Sequence, residues 1–359
     1  MKFPAMKVVR WLAVAVLSAS WMMNALADFY VCDTRTKAPI AAHAIVWTQL
    51  SLAEKEQIAA AANSAHAGMI RMDLTWASLQ YSASQYDWHW ADESIKAAQD
   101  NNLEIVAVVT ELPAWASQNP TSPDFRFYPP NAQSWTAWQN FITAFVNRYG
   151  RRGLNSIHYW EIWGEPNEPF MWKGTPAEYA RLYALAYTAI KNSDPGATVL
   201  MGGINDHNQP QWINAVLNDP TYPAKSNIDV INVHIRSSVD LVKKLTVAWK
   251  NLFAQNGVTG KPFWITEFGF PSVPEFQQGW DDNYVGIDAA DGEVKQDSYY
   301  QATVPWLLTD GGVDKLFITL RDLNEPSAWG SEGLFNMTLT RAKPSMLTMR
   351  RYQCAPPPG

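Results

Sequence analysis

Short apolar runs alternate with amphipathic segments along almost the whole chain. Eight runs stand out: Ala42–Trp47, Met69–Leu74, Glu104–Thr110, Ile157–Trp163, Thr198–Gly203, Asp229–Ile235, Pro262–Phe268 and Lys315–Arg321. They are rich in β-branched and aromatic residues and mostly apolar at odd and even positions alike, the pattern of strands buried on both faces. Between them, apolar positions recur at helical spacing. Capping boxes mark two helix starts, Ser51 with Glu54 and Thr175 with Glu178, the second with Pro176 at the first helical position. Strands alternating with helices eight times predict an α/β fold, a (β/α)8 TIM barrel in a single domain. An open doubly wound sheet is the alternative, but no G-x-G-x-x-G follows the first strand.

A barrel of this kind carries its site at the C-terminal ends of the strands. Those ends are chemically dense. Arg71 and Asp73 end the second strand, and Glu111 to Trp115 follow the third. Trp163 to Asn167 follow the fourth, His234 and Arg236 end the sixth, Glu267 the seventh, and Arg321 with Asp322 the eighth. Two glutamates on opposed strands, Glu165 and Glu267, suit cleavage of a glycosidic bond. One carboxylic acid protonates the leaving oxygen while a second carboxylate attacks, or activates water, from the other face. Glu161 shares the parity of Trp163 and Glu165 and reads as structural, pointing into the barrel.

The N-terminus reads as a signal peptide over residues 1–27. Lys2, Lys7 and Arg10 form a basic region, Trp11 to Met23 an apolar stretch too short to span a bilayer, and Ala25-Leu-Ala27 a cleavage signal. Export to the periplasm or the medium is therefore expected, with no stable membrane insertion after cleavage. The barrel is expected over 28–354, with a frayed tail at 355–359. The 359 residues carry a net charge of −6, which argues against a nucleic-acid partner. Six histidines show no ligand spacing and two cysteines make no zinc site, so neither metal nor cofactor is implied. In an oxidising compartment Cys32 and Cys354, at the two ends of a closed barrel, are expected to form a disulfide; two free thiols are the alternative.

The motifs also carry a resemblance. Tyr159-Trp-Glu-Ile-Trp-Gly-Glu-Pro-Asn-Glu-Pro169 resembles the acid/base strand of clan A glycoside hydrolases, and Lys261-Pro-Phe-Trp-Ile-Thr-Glu-Phe-Gly269 resembles their nucleophile strand. The Thr175–Gly203 segment is similar to family 39 and its relatives acting on bacterial exopolysaccharides. Pro113-Ala-Trp-Ala-Ser117, Leu320-Arg-Asp322, Gly333-Leu334 and Lys343-Pro344 add support. The resemblance implies Glu165 as general acid/base and Glu267 as nucleophile. One position departs from the pattern: Gly164 stands where most of these families place an asparagine that bonds the sugar 2-hydroxyl.

Arg71, Trp115, Trp163, Asn167, His234 and Arg321 are the expected substrate-binding residues, with Arg71 also a candidate to hold the nucleophile ionised and the two tryptophans candidate sugar platforms. The long segments Ala116–Asn131 and Pro271–Lys295 are expected to wall an open groove. The reading is an exported retaining glycosidase acting inside a bacterial polysaccharide. Exo action on oligosaccharides, or a binding barrel that has lost its chemistry, are the alternatives.

Overall fold

The computed structural model describes residues 38–46, 50–205, 210–277 and 291–352. The signal segment, Cys32, Cys354, the tail, Trp280 and Tyr284 lie outside the described residues. Eight parallel strands form the sheet: β1 (Ile40–His43), β2 (Met69–Asp73), β3 (Glu104–Val109), β4 (Ile157–Gly164), β5 (Thr198–Gly203), β6 (Ile231–Ile235), β7 (Phe263–Phe268) and β8 (Lys315–Thr319). They run in the order β5-β4-β3-β2-β1-β8-β7-β6. Isolated parallel bridges, Leu200 to Val230 and Ile204 to Val233, join β5 to β6 and close the barrel. The predicted strands are all present, with ends displaced by a few residues; the first begins at Ile40 and stops at His43.

The helices are α1 (Leu52–Ser64), the single turn α2 (Trp76–Leu79), α3 (His89–Asp100), α4 (Trp135–Tyr149), α5 (Pro176–Ser193), α6 (Pro210–Leu217), α7 (Val239–Gln255), α8 (Gly292–Leu308) and α9 (Pro344–Tyr352). Both expected capping boxes form. Glu54 N donates to Ser51 Oγ while Ser51 N donates back to Glu54, and Thr175 with Glu178 does the same at the start of α5. Each box satisfies two of the backbone donors that a helix start leaves without partners.

Two layers make the core. Most buried apolar side chains lie between strands and helices. A smaller cluster of Ala41, Met69, Val106, Leu200, Val230, Trp264 and Phe317 fills the barrel interior. Further along the strands the inward positions become polar: Arg71, Asp73, Glu161 and His234. Strand alternation carries this change, since residues two apart share a face.

The alternation breaks at two places, and both shape the site. On β7, Trp264 faces inward and Ile265 joins the outer layer, yet Glu267 lines the central cavity. The pairing with β8 shifts between Ile265 and Phe268, an irregularity of the sort that re-aims side chains beside active sites. On β4, Trp163 has a left-handed φ of 77°. That rotation turns its indole into the outer layer and presents Gly164 to the cavity.

Candidate active site

Glu165 leaves β4 with φ 46°, and Glu267 sits near the end of β7. Their carboxylates meet across the barrel mouth: one oxygen of each, and a nitrogen of His234, lie within 4.8 Å of one another. His234 Nδ1 is 2.8 Å from Glu165 Oε1 and 3.6 Å from Glu267 Oε1. Asn205 Nδ2 donates to Glu165 Oε1 at 2.9 Å. Gly203 makes room for this arrangement, because a Cβ there would collide with the His234 ring.

Two guanidiniums hold Glu267. Arg71 Nη1 donates to Oε1 and Arg236 Nη2 to Oε2, each at 2.8 Å. Each guanidinium is anchored behind by a second carboxylate. Arg71 donates through Nε and Nη2 to Glu161, both at 2.9 Å, and Arg236 Nε donates to Glu332 at 2.9 Å. Glu161 and Glu332 are fully buried. Gly269 gives Glu332 its space, since a Cβ there would strike the carboxylate. Burial alone would raise the Glu267 carboxyl, but the positive charge beside it, Arg71 and Arg236 included, holds it well below the usual range. Burial takes His43, 3.7 Å from Glu267, down to about 3, so that ring is neutral. The permanent positive charges on Glu267 are therefore the two guanidiniums.

These groups line a cavity of about 570 Å³, with Ile45, Phe127, Phe170, Met171 and Trp329 as its apolar walls. A second cavity, of about 610 Å³, shares Asp73 and Glu111 with it and is walled in part by Tyr81, Phe125 and Arg126. The segment after β3 thus does form a wall. For the segment after β7, 278–290 lie outside the described residues.

Several expected site residues lie elsewhere. Trp163 is not a sugar platform: its side chain is fully buried, packs edge-on against Trp172 and donates from Nε1 to the Met171 carbonyl. The parity argument failed because the positive φ ends the strand alternation at that residue. Trp115 is half-buried, edge-on to Trp76, with Nε1 committed to the Gln80 carbonyl, and it lines neither cavity. Asn167 is buried and exchanges bonds with the Asn205 backbone, accepting from its N–H and donating to its carbonyl. It positions Asn205 rather than facing the cleft. Arg321 lines neither cavity; it bridges to Phe335 outside them. Arg71, Gly164 and His234 do line the central cavity, and Glu161 is structural as expected. His43, Asn205 and Glu332 were not singled out, and Arg236 was named only as a strand end. Its signal was its place on the rim, two residues beyond His234.

The Glu165, His234 and Glu267 donors are close enough to surround an ion. Two guanidiniums already occupy Glu267, however, and their charge opposes a divalent cation there.

Comparison with known proteins agrees with the fold. A beta-xylosidase of Caldicellulosiruptor saccharolyticus is 38% identical over 73 residues, 18% of this chain and 14% of that protein. A family 39 glycoside hydrolase from Bacteroides cellulosilyticus superposes with a TM-score of 0.67 at 16% identity, over 89% of this chain and 64% of that one. A monomeric beta-xylosidase from Caulobacter crescentus gives 0.67 at 18% identity, over 88% and 67%. The chain thus spans less than two thirds of the first two of these relatives. The sequence model for cellulase (glycosyl hydrolase family 5) matches residues 32–294, well over half of the chain. With the barrel closed and two glutamates opposed at its mouth, that match places the chain in glycosyl hydrolase family 5, within clan A of the glycoside hydrolases.

Proposed function

We propose that the protein is an exported retaining glycoside hydrolase that cleaves within a polysaccharide, with Glu267 as nucleophile and Glu165 as acid/base. The observation that carries this is the opposed pair, in which one oxygen of each carboxylate lies within 4.8 Å of one oxygen of the other. Retaining enzymes hold their carboxyl groups about 5–5.5 Å apart, whereas inverting ones need roughly 6.5–9.5 Å to admit water. The environments also divide the labour. Glu267 lies between two guanidiniums, which keep it ionised and aimed. Glu165 meets a neutral amide, Asn205, and the His234 ring, whereas no guanidinium hydrogen-bonds to it among the described residues.

In the first step Glu267 attacks the anomeric carbon as Glu165 gives its proton to the departing oxygen. In the second, Glu165 takes a proton from water, which displaces Glu267 and returns the sugar with its original anomeric configuration. Developing charge at the ring is stabilised by the ionised Glu267, and the clamp of Arg71 and Arg236 removes the need to reorganise it.

Two cavities joined through Asp73 and Glu111 offer room for several sugar units, which favours internal cleavage. The basic, apolar and A-x-A pattern of residues 1–27 supports export. Digestion of a polysaccharide panel with product sizing tests the whole reading. Oligosaccharides with retained configuration at the first turnover, lost in Glu267→Gln, are expected. Monosaccharide alone as first product refutes internal cleavage, and an inverted anomer refutes the double displacement.

A further inference from the structure

The tryptophans expected to carry a sugar lie outside the cleft, yet the cleft has an aromatic wall. Phe170 lines the central cavity and is 57% exposed. It is the one exposed phenylalanine among the described residues. Phe127 and Met171 line the same cavity and are half-buried. A ring left in water on a cavity wall gains by being covered, and aromatic walls are the usual lining of small-molecule sites.

The wall is preformed. From Glu165 the chain turns twice in quick succession. Glu168 N donates to the Glu165 carbonyl, and Met171 N and Trp172 N both donate to the Glu168 carbonyl, each at 2.9 Å. The Met171 carbonyl accepts from the buried Trp163 indole at 2.8 Å. Lys173 N donates to the Phe127 carbonyl at 2.8 Å, which ties this loop to the segment after β3. Pro169 fixes the backbone angle just before Phe170. A surface held this way loses little freedom when a ligand covers it.

Its place in the cleft gives it a role. Phe170 and Met171 stand on the loop that begins at Glu165, and Phe127 follows the neighbouring strand β3. The Glu267 clamp comes from β2, β6 and β7 instead. A general acid must stand beside the oxygen it protonates, so the departing unit lies against Glu165 and its loop. Polar groups of the cleft are spent on one another: Arg71 and Arg236 on Glu267, Asn205 on Glu165. The wall itself offers two rings and a thioether, none of them a strong hydrogen-bonding group. It can therefore select a departing unit by shape and by apolar surface. A neutral pyranose supplies both, because its axial C–H groups form a flat face whose slight positive charge suits the negative face of an aromatic ring.

We propose that Phe170, flanked by Phe127 and Met171, is the platform of the leaving-group subsite, and that it takes a neutral pyranose unit by its apolar face. The proposal rests on the reading of Glu165 as acid/base.

Saturation-transfer NMR on the full chain tests this with the methyl glycosides of glucose, xylose, galactose and mannose, and with glucitol, which has comparable hydroxyls but no rigid C–H face. At least one glycoside should bind, with transfer strongest at the ring protons of one face, and glucitol should not. Phe170→Ala should weaken that binding about fivefold or more, and Phe170→Trp should keep it. Phe170 is exposed, so neither substitution removes core packing. Added to a polysaccharide digest, the bound glycoside should also appear in transfer products, because an acceptor takes the place that the leaving unit vacates. No binding of any glycoside, binding indifferent to Phe170→Ala, glucitol binding as tightly, or binding without transfer in an active digest would overturn the proposal. Any of these in a protein that digests polysaccharide and is silenced by Glu267→Gln leaves the catalytic reading standing. Conversely, turnover in Glu267→Gln beside Phe170-dependent binding and transfer would sink only the catalytic assignment.

Discussion

Replacing Arg236 by glutamine should separate what the guanidinium does for folding from what it does for chemistry. In the parent it links Glu267 and Glu332 through bonds of 2.8 and 2.9 Å. The substitution removes one charge-assisted hydrogen bond from Glu267, the proposed nucleophile, and strands Glu332, which is fully buried. Breaking a buried pair from one side typically costs about 3–5 kcal/mol, because the remaining charge is uncompensated. A charge-assisted bond is worth about 1.5–3 kcal/mol, so its loss at Glu267 should lower kcat/KM about 10- to 150-fold. Adding Glu332→Gln neutralises the stranded group and lets two amides pair. Urea denaturation should therefore show most of the stability restored in the double variant, while kinetics on the same preparations should show activity still depressed. Recovery of full activity with the stability would refute the reasoning, since it would make the Arg236 charge unnecessary at Glu267.

Asp73→Asn should stabilise the protein at neutral pH. The native carboxyl sits at about 6 against an ordinary 3.8, so stability present below about pH 4 is lost as pH rises through 6; at 1.36 kcal/mol per pH unit the gain is at most about 3 kcal/mol at pH 7.5 and vanishes near pH 3, read by denaturant titration at both. Trp163→Ala should cost about 3–5 kcal/mol of stability as a core deletion, and Trp163→Phe should leave KM for an oligosaccharide unchanged, whereas a platform would raise it. Gly164→Asn should fold as well as the parent by thermal melting, because a Cβ there meets nothing nearer than the Arg71 guanidinium at 3.9 Å. It should also raise kcat/KM on substrates with a free 2-hydroxyl, since the added amide can reach that group.

Strands and helix starts were legible because burial on both faces and capping chemistry are local properties of the chain. Glu165, Glu267, Arg71 and His234 were legible for a related reason: each sits at or near a strand end, and the barrel topology sends strand ends to one rim. The misread residues depend on backbone angles that no periodicity records. Trp163 follows parity until a φ of 77° turns it outward. Asn167 looks like a cleft residue until the loop folds back and spends its amide on the Asn205 backbone. Glu332 lies outside any strand, next to Gly333, and its role exists only through Arg236. His43 sits in a short strand whose predicted start was displaced by two residues, so its place at the mouth was hidden. That Asp73 and Glu111 line the same two cavities is a feature of the folded surface alone.

The roles of the two glutamates are tested most directly by trapping the covalent intermediate. The protein would be treated with a panel of aryl 2-deoxy-2-fluoro glycosides, digested, and its labelled peptide sequenced by mass spectrometry. The account predicts a single glycosyl ester on Glu267, formed more slowly after Glu165→Gln when the leaving group is poor. A label on Glu165, Glu161 or Glu332, with Glu267 unmodified, would contradict it.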